Sequence, residues 1–296
     1  MIRIAFSLFL INLSTSLLLA QEPASNSCPP LLLTLESQKK IVRLDAEGKI
    51  VWEYPADTAR DVWMLPNGNV LFPYSISNGV NRAETGAMEV TPDKKIVWKY
   101  VTHGQVYSCQ RMADGNTLIG ATEQGKLLIV SPAGELVKSI EIKNSKAGHS
   151  SMRNVRELEN GNLLVAEENA KAAREYDKEG NVLREFKTPY PTFSAVRLPS
   201  GHTMTSGRTG ITEFDQEGKV VWELKSEEVP TLGIRWFAGI QVLPNGNLFI
   251  CNAGGKVPLF EISKEKKIVW MSELPLLKGS LAHSVQRLDV PLPPLK

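Results

Sequence analysis

The stretch Leu65-Pro66-Asn67-Gly68-Asn69-Val70-Leu71-Phe72 returns in altered form four more times along the chain. Each copy has a glycine at the same place, and these glycines stand at positions 68, 115, 161, 201 and 246, so successive copies are 40 to 47 residues apart. Asn-Gly or Asp-Gly between apolar runs is the strongest short-range signal for a β-hairpin, because a two-residue primed turn needs positive φ at both central residues. The spacing therefore predicts a repeat architecture in which each copy is one hairpin.

A second phrase alternates with the first, and a clear copy of it is Asp45-Ala46-Glu47-Gly48-Lys49-Ile50-Val51-Trp52. It predicts another tight turn, which is entered from an apolar run such as Ile41–Leu44 and left by a β-branched run. The first turn would join strands A and B of a repeat, and the second would join strands C and D. Four short strands in about 40 to 45 residues are typical of a β-propeller blade.

The number of turns predicts six blades. Six turns join C to D but only five join A to B, because the first C-to-D turn is preceded by a strand B (Leu31–Leu35) and a strand C without a strand A. The missing strand stands at the other end of the chain, where His283–Leu288 matches Phe193–Leu198. We therefore predict an all-β, six-bladed β-propeller of four antiparallel strands per blade, in which a C-terminal strand A completes the N-terminal blade and closes the ring.

A tryptophan occupies the same place on strand D in four blades and is predicted to pack against the next blade: Trp52, Trp98, Trp222 and Trp270. An indole that buries about 150 to 250 Å² contributes roughly 4 to 6 kcal/mol at about 25 cal/mol per Å². Lys138 and Arg184 stand at this place in the other two blades. Those two junctions are expected to be weaker.

The first twenty residues of the chain predict export. Residues 1–20 have the layout of a cleavable signal peptide, with an uncleaved anchor as the rival interpretation. We assign residues 21–30 to a linker, 31–290 to the propeller and 291–296 to a proline-rich tail, and expect a periplasmic or extracellular protein. The three cysteines predict no disulfide framework, and Cys28 is expected to be the reactive one.

The charge balance argues against a nucleic-acid partner. The formal net charge is +2, and no run of Lys or Arg stands out. We predict no cofactor and no transmembrane segment in the mature chain.

The loop-rich end of the propeller is the predicted functional face. The A-to-B and C-to-D turns would lie at one end, and the longer, variable B-to-C and D-to-A loops at the other, where binding chemistry is usually placed. Candidate catalytic residues on this face are His283, His149 and His103, whereas His202 falls in a turn at the opposite end. These three histidines could act as nucleophile or general base, or simply bond to backbone and water. They lack the spacing of a zinc site, so no metal is predicted.

Candidate ligand-binding residues lie on or near the same mouth: Arg60, Trp63, Tyr107, Arg153, Arg235 and Trp236. Guanidinium and indole groups suit carboxylates, sulfates and aromatic rings. The alternative is that Trp236 and Phe237 cap the core of their blade. Small, mostly polar residues are expected along strand A in the central channel: Asp61, Ser108, Asn154, Ser194, Gly239 and Ser284.

The two phrases together resemble those of known propeller families. Arg43–Trp52 looks like the tryptophan-docking motif of quinoprotein-like (PQQ-like) blades, and Leu243–Leu248 looks like the repeat of arylsulfotransferase-like proteins. Quinoproteins that bind pyrroloquinoline quinone (PQQ) typically have eight blades and often a vicinal cysteine pair, and this chain departs from both, so PQQ is not expected. The resemblance to arylsulfotransferases implies a transferase with His283 as nucleophile and Arg60, Arg153 or Arg235 holding the anion.

These observations lead to two functional expectations. The preferred one is an exported module that binds a small anionic or aromatic ligand, or an envelope protein, through its loop-rich face. The alternative is the arylsulfotransferase-like enzyme. Fold alone does not choose between them.

Overall fold

Six four-stranded antiparallel sheets make up the computed structural model, which describes residues 27–77, 82–142 and 146–291. The predicted signal peptide, most of the linker and all but the first residue of the tail lie outside these ranges. The blades are numbered in chain order, and their strands run from the inner strand A to the outer strand D. Blade 1 comprises β24 (Val285–Arg287), β1 (Leu31–Leu35), β2 (Lys40–Leu44) and β3 (Ile50–Pro55).

Blades 2 to 4 follow with the same internal order. Blade 2 comprises β4 (Trp63–Met64), β5 (Val70–Ser77), β6 (Arg82–Val90) and β7 (Ile96–Thr102). Blade 3 comprises β8 (Ser108–Arg111), β9 (Thr117–Ala121), β10 (Lys126–Val130) and β11 (Leu136–Glu141). Blade 4 comprises β12 (Asn154–Glu157), β13 (Leu163–Glu167), β14 (Ala172–Tyr176) and β15 (Val182–Lys187).

Blades 5 and 6 complete the ring. Blade 5 comprises β16 (Thr192–Arg197), β17 (Thr203–Gly207), β18 (Gly210–Phe214) and β19 (Val220–Lys225). Blade 6 comprises β20 (Phe237–Val242), β21 (Leu248–Asn252), β22 (Leu259–Ile262) and β23 (Ile268–Met271). Helix in the described ranges is confined to five three-residue 3₁₀ turns: Glu36–Gln38, Thr122–Gln124, Ser226–Glu228, Pro230–Leu232 and Pro275–Leu277. None of these is long enough to cross a membrane.

The predicted closure of the ring is confirmed. Strand β24 from the C-terminal end pairs antiparallel with β1, and the register sets Leu31 opposite Arg287 and Leu33 opposite Val285. Glutamine side chains also tie the inner strand of one blade to that of the next. The Gln286 side chain accepts a 2.7 Å hydrogen bond from the Met64 backbone N–H of blade 2. In the same way, the Gln110 side chain accepts a bond from the Glu157 backbone N–H, and the Gln241 side chain accepts one from the Arg287 backbone N–H.

The turns are tight, but the predicted primed type is wrong. In the first phrase the Gly68 N–H donates to Leu65 O and the Leu65 N–H donates to Asn69 O. Gly68 has φ of +82°, whereas Asn67 is not among the residues with positive φ. This is a three-residue hairpin loop, a type I turn closed by one left-handed residue. Only that residue needs positive φ, which is why the glycine recurs and the residue before it varies.

The second asparagine of the turn phrase has a role that the turn alone does not explain. In blade 2 the Asn69 side chain donates to Glu89 on strand C, and Glu89 also forms a 2.5 Å ion pair with Arg111 of blade 3. Equivalent trios occur at two further junctions: Asn162, Glu175 and Arg197, then Asn247, Glu261 and Arg287. His202 takes the place of the asparagine in blade 5, where it contacts Glu213 at 2.8 Å. His202 is therefore part of a junction between blades.

The predicted packing of the strand D tryptophans is confirmed. The Trp52 indole N–H donates to Pro92 O in the C-to-D turn of the next blade, and Trp98 donates to Ser131 O in the same way. Trp222 bonds to Lys264 O of blade 6, and Trp270 bonds to Ser27 O in the segment before β1. The apolar clusters accordingly contain residues from adjacent blades.

Cys28 contradicts its predicted reactivity. Its side chain packs in the cluster between blades 6 and 1 and is only 6% exposed. Burial raises the pKa of its thiol to about 11. Cys109 and Cys251 are also buried, and all three cysteines are free. Because the thiolate is the reactive form, none of the three is set up to react in the folded protein.

Candidate functional site

A cavity of about 1130 Å³ follows the central channel from the loop-rich end to the A-to-B turns. Its wall includes five of the six channel positions expected from the sequence: Asp61, Asn154, Ser194, Gly239 and Ser284. The positions that follow them on strand A are all buried and belong to the apolar clusters of the blades: Val62, Cys109, Val155, Ala195, Ile240 and Val285. Three of them, Val62, Ile240 and Val285, also line the cavity, so the alternation of the strands separates the channel wall from the blade cores only in part.

An ion pair narrows the middle of the channel. Arg156 on β12 reaches Asp61 with two hydrogen bonds of 2.7 and 3.0 Å, and its guanidinium lies 4.6 Å from the centre of the Trp63 ring. The Trp63 indole N–H is itself bonded to Cys109 O. The structure therefore places Trp63, a predicted ligand residue, deep in the wall as a support for Arg156. The protein already satisfies this buried charge pair, which leaves the loop-rich half of the cavity for a ligand.

Two arginines at the loop-rich mouth are held by carboxylates. Arg60 donates to Glu36 through Nε at 3.0 Å and Nη2 at 2.9 Å, and its guanidinium lies 4.2 Å from the ring centre of Tyr107. Arg153 pairs with Glu168 and lies 4.9 Å from the same ring. Tyr107 is 1% exposed, so it lies beneath both arginines rather than on the surface of the mouth.

The second part of the mouth is built around Trp236. The His283 ring stacks on the indole at 6.1 Å with an interplanar angle of 28°, and Phe193 meets it edge-on at 6.0 Å. Arg235 and Arg208 lie 4.8 and 5.8 Å from the centre of the Trp236 ring system. We call these five residues the Trp236 cluster.

Arg208 and Arg235 differ from the other arginines of the mouth in their partners. Both are exposed, and no ion pair to a carboxylate is found for either within the described ranges. Arg208, Phe193, Trp236 and His283 line the cavity. Arg235 is not part of the cavity wall, so this side of the mouth combines aromatic surface with one exposed positive charge, that of Arg208.

Asn252 holds the loop that carries Arg235 and Trp236. Its side-chain amide is completely buried; it accepts a 2.9 Å bond from the Arg235 N–H and donates to Leu232 O and Val257 O. The Ala253 N–H adds a bond to Trp236 O. The loop is thus fixed to the end of β21, which orients the indole toward the channel.

The three candidate histidines do not share one pocket. His283 and His149 both line the cavity, whereas His103 is exposed and is not part of its wall. The His149 Nδ1 lies 2.8 Å from the Tyr107 hydroxyl and 2.6 Å from Gln105 Oε1. Its Nε2 lies 3.4 Å from Arg153. His149 therefore ties together Gln105, Tyr107 and Arg153.

His283 has the most distinctive environment of the three. Its Nε2 lies 2.7 Å from Glu36 Oε2, and 13% of each side chain is exposed. Although burial alone would raise it, the pKa of Glu36 is lowered to about 2 by hydrogen bonds from His283 and Arg60. Burial lowers the pKa of His283, while Glu36 acts in the opposite direction. The mouth thus holds a neutral imidazole against an ionised carboxylate at neutral pH.

Sequence reasoning missed several residues of this site: Glu36, Glu168, Phe193, Arg208 and Asn252. Glu36, Glu168 and Arg208 each follow directly on the end of a strand B. Their shared place after strand B is the sequence signal that marks these three residues. No group of three or more His, Cys, Asp or Glu side chains suited to a metal ion occurs within the described residues.

Comparison with known proteins bears on the architecture. No protein-family model matches the chain, and no curated protein sequence matches it. A protein of unknown function from Bacteroides caccae, solved as a crystal structure, is similar with a TM-score of 0.74 and 24% identity, over 87% of this chain and 98% of that one. A streptogramin B lyase is similar with a TM-score of 0.61 and 15% identity, over 83% of this chain and 80% of that one.

Virginiamycin B lyase from Staphylococcus aureus gives a TM-score of 0.60 and 17% identity, over 82% of this chain and 80% of that one. The structure of a catalytically inactive histidine-to-alanine variant of that enzyme with quinupristin gives a TM-score of 0.59 and 16% identity, over 85% of this chain and 87% of that one. The likeness establishes the fold alone. The resemblance to arylsulfotransferase-like and quinoprotein-like families stays a prediction.

Proposed function

We propose that this propeller binds a small organic anion with an aromatic or other flat apolar group, in the loop-rich half of its channel. The observation that carries the proposal is the Trp236 cluster, where Arg208 and Arg235 flank an indole at the cavity mouth without a carboxylate partner in the described ranges. A flat group would stack on Trp236 and Phe193, and the anion would face the guanidinium group of Arg208, which lines the cavity.

The size of the cavity supports a small ligand over a protein partner. Its volume of about 1130 Å³, which covers the whole channel, is slightly above the range of roughly 300 to 1,000 Å³ for ordinary ligand pockets. A similar propeller, the S. aureus virginiamycin B lyase variant, was solved with quinupristin, so an organic ligand is compatible with this fold. Binding of an envelope protein, and export itself, stay predictions.

Isothermal titration calorimetry tests the proposal by comparing the affinities of two matched probes. Naphthalene-2-sulfonate carries the anion, and 2-naphthol presents the same rings without a charge at neutral pH. We expect the sulfonate to bind at least about tenfold more tightly, because a charge-assisted hydrogen bond is worth about 1.5 to 3 kcal/mol. Arg208→Gln should remove most of this preference, and Trp236→Ala should weaken both probes.

The matched control is Arg184→Gln, which changes an exposed arginine on the outer strand of blade 4. It should bind both probes like the unmodified protein. Equal affinities for the two probes, or the same loss in Arg184→Gln as in Arg208→Gln, would contradict the proposal.

The arylsulfotransferase-like enzyme is the second candidate, and the position of His283 on the cavity wall favours it over a site at His103. Intact-mass measurement after incubation with 4-nitrophenyl sulfate tests it. A sulfuryl adduct that a phenol acceptor discharges is the expected result for a transferase. An unchanged mass without release of nitrophenol contradicts it.

A further inference from the structure

We propose that the central channel binds a singly charged inorganic anion, a halide or nitrate, at the level where three glutamine side chains face it. This level lies on the turn side of the Arg156–Asp61 ion pair, so the site is separate from the Trp236 cluster and does not depend on the ligand proposed for the mouth. The three side chains are almost fully buried and present amide hydrogens to the channel: Gln110, Gln241 and Gln286.

The placement of these glutamines follows from the period of the inner strands. Side chains two residues apart on a strand face the same way, so the position two after each small channel residue also faces the channel, one step nearer the A-to-B turn. All six such positions line the cavity, and they carry three glutamines, an arginine, a tryptophan and a valine: Gln110, Gln241, Gln286, Arg156, Trp63 and Val196. We call these six residues the glutamine collar.

Each glutamine of the collar is held by its side-chain oxygen. The oxygens of Gln286, Gln110 and Gln241 accept backbone N–H groups of the next blade, and each of the three bonds is 2.7 Å long. Because a backbone N–H can only donate, these bonds identify which end of each amide is the oxygen. The other end is the nitrogen, which carries two hydrogens.

The three amide nitrogens have no protein acceptor among the residues that the structure describes. Their side chains are nevertheless buried, since Gln110 and Gln241 are 7% exposed and Gln286 is 5% exposed. Buried donors in proteins are almost always paired, because a donor that loses its water needs another acceptor. An acceptor in the channel would serve two hydrogens from each amide.

The donors stand on opposite sides of the channel axis. Gln110 belongs to blade 3 and Gln241 to blade 6, and these blades face each other across a ring of six. Gln286 belongs to blade 1, which faces blade 4 and its Arg156. An ion between them would join the inner strands of three blades, including the closing strand β24.

The charges of the collar suit an anion with a single charge. The collar contains no carboxylate, and hydrogen bonds to an ionised acceptor are roughly twice as strong as those between neutral groups. Its one cation, Arg156, is already neutralised by Asp61. Glu157 also lines the channel, but its carboxylate is bonded to the Ala113 N–H in the turn. Without a free cation, neutral amides favour a halide or nitrate over sulfate or phosphate, because the desolvation cost rises steeply with charge.

Bromide can locate the site directly, because it gives an anomalous signal in X-ray diffraction. Crystals of the full chain soaked in sodium bromide should show an anomalous peak within hydrogen-bond distance of at least two of the three amide nitrogens. Peaks confined to the outer surface or to the arginines of the mouth would mean an adventitious ion only, and the collar would then not be an anion site.

Thermal melting tests whether the ion binds in solution. Replacing gluconate, a bulky anion, by chloride at constant ionic strength should raise the melting temperature of the unmodified protein by at least about 2 °C. Gln241→Glu keeps an oxygen for the Arg287 N–H but replaces the donor with a negative charge, so the rise should disappear. Gln110→Glu makes the same change in blade 3 and provides a second variant if Gln241→Glu does not fold.

Two controls keep the collar apart from other sites. Gln216→Glu adds the same charge at an exposed glutamine outside the cavity wall and should keep the full rise in chloride. Arg208→Gln changes the mouth only and should keep it too; loss of the rise in this variant would place the ion at the mouth. Equal melting in chloride and gluconate, or a rise that persists in the folded Gln241→Glu or Gln110→Glu variant, would contradict the proposal. Neither result bears on binding of naphthalene-2-sulfonate, so each site can fail while the other stands.

Discussion

Replacing Asn252 with leucine should both destabilise the protein and loosen its ligand site. The side chain is fully buried, and its oxygen accepts a hydrogen bond from the Arg235 N–H. Its two amide hydrogens are shared among three carbonyl oxygens, those of Leu232, Gly233 and Val257. Leucine has nearly the same shape but can make none of these bonds. The Arg235 N–H would lose its partner, whereas the Leu232 and Gly233 carbonyls would keep their bonds from the Val257 and Lys256 N–H groups. For three bonds at a net value of about 0.5 to 1.5 kcal/mol each, the expected loss of unfolding free energy is about 3 kcal/mol.

Urea unfolding followed by tryptophan fluorescence measures this loss, and titration with naphthalene-2-sulfonate measures the effect on the site. We expect at least about a tenfold weaker affinity, because Arg235 and Trp236 are no longer held against β21. Asn116→Leu is the control, since that side chain makes a single bond to Asp114 in an exposed turn. A loss of stability below about 1 kcal/mol, or an unchanged affinity, would refute the assignment of Asn252 as the anchor of the loop.

Three other predictions concern the scaffold and the mouth. Lys94 has φ of +65° at a turn position where most blades have glycine, so Lys94→Gly should raise the unfolding free energy by about 0.5 kcal/mol in a urea titration. Lys95 is not among the residues with positive φ, so Lys95→Gly should lower the unfolding free energy. The pKa of Glu36 is lowered from 4.5 to about 2 in the folded protein. At pH values above 4.5 the ionised carboxylate therefore contributes about 3 kcal/mol to the unfolding free energy, and this contribution is lost as the pH falls toward 2. The difference in unfolding free energy between the unmodified protein and Glu36→Gln should therefore shrink over that interval, and a constant difference would contradict the assignment. A thiol reagent should label fewer than one cysteine per native molecule and three in urea, since the three thiols are all buried: Cys28, Cys109 and Cys251.

The architecture was predictable because its signals are local. A glycine in most turns, an apolar run on either side and a tryptophan on strand D of four blades each depend on a few neighbouring residues, and their repetition predicts six blades and the closing strand. The turn type was misjudged because a left-handed glycine serves both the primed turn and the type I turn that is present here. Only the φ of Asn67 distinguishes them.

The site was predictable only in part. His283, Arg60 and Trp236 were recognised as side chains of the loop-rich mouth, because their distance from the turn placed them above strand A. The residues that contact these side chains were not predicted. Glu36 and Arg208 share a place directly after the end of a strand B, but that place does not indicate which side chains of other blades they meet. A pairing between side chains on different blades depends on how far each blade rotates around the axis, and no single repeat contains that information.

Local sequence patterns specify the number of blades, the strands of each blade and the end of the channel at which the long loops lie, since hydrophobic alternation and turn chemistry act over a few residues. Which charged side chains meet depends instead on the packing of the blades in the closed ring. Glu36 stands near the start of the described chain and His283 near its end, and they face each other only because β24 pairs with β1 and closes the ring. That closure also holds the imidazole against Trp236, and so gives the mouth its chemistry.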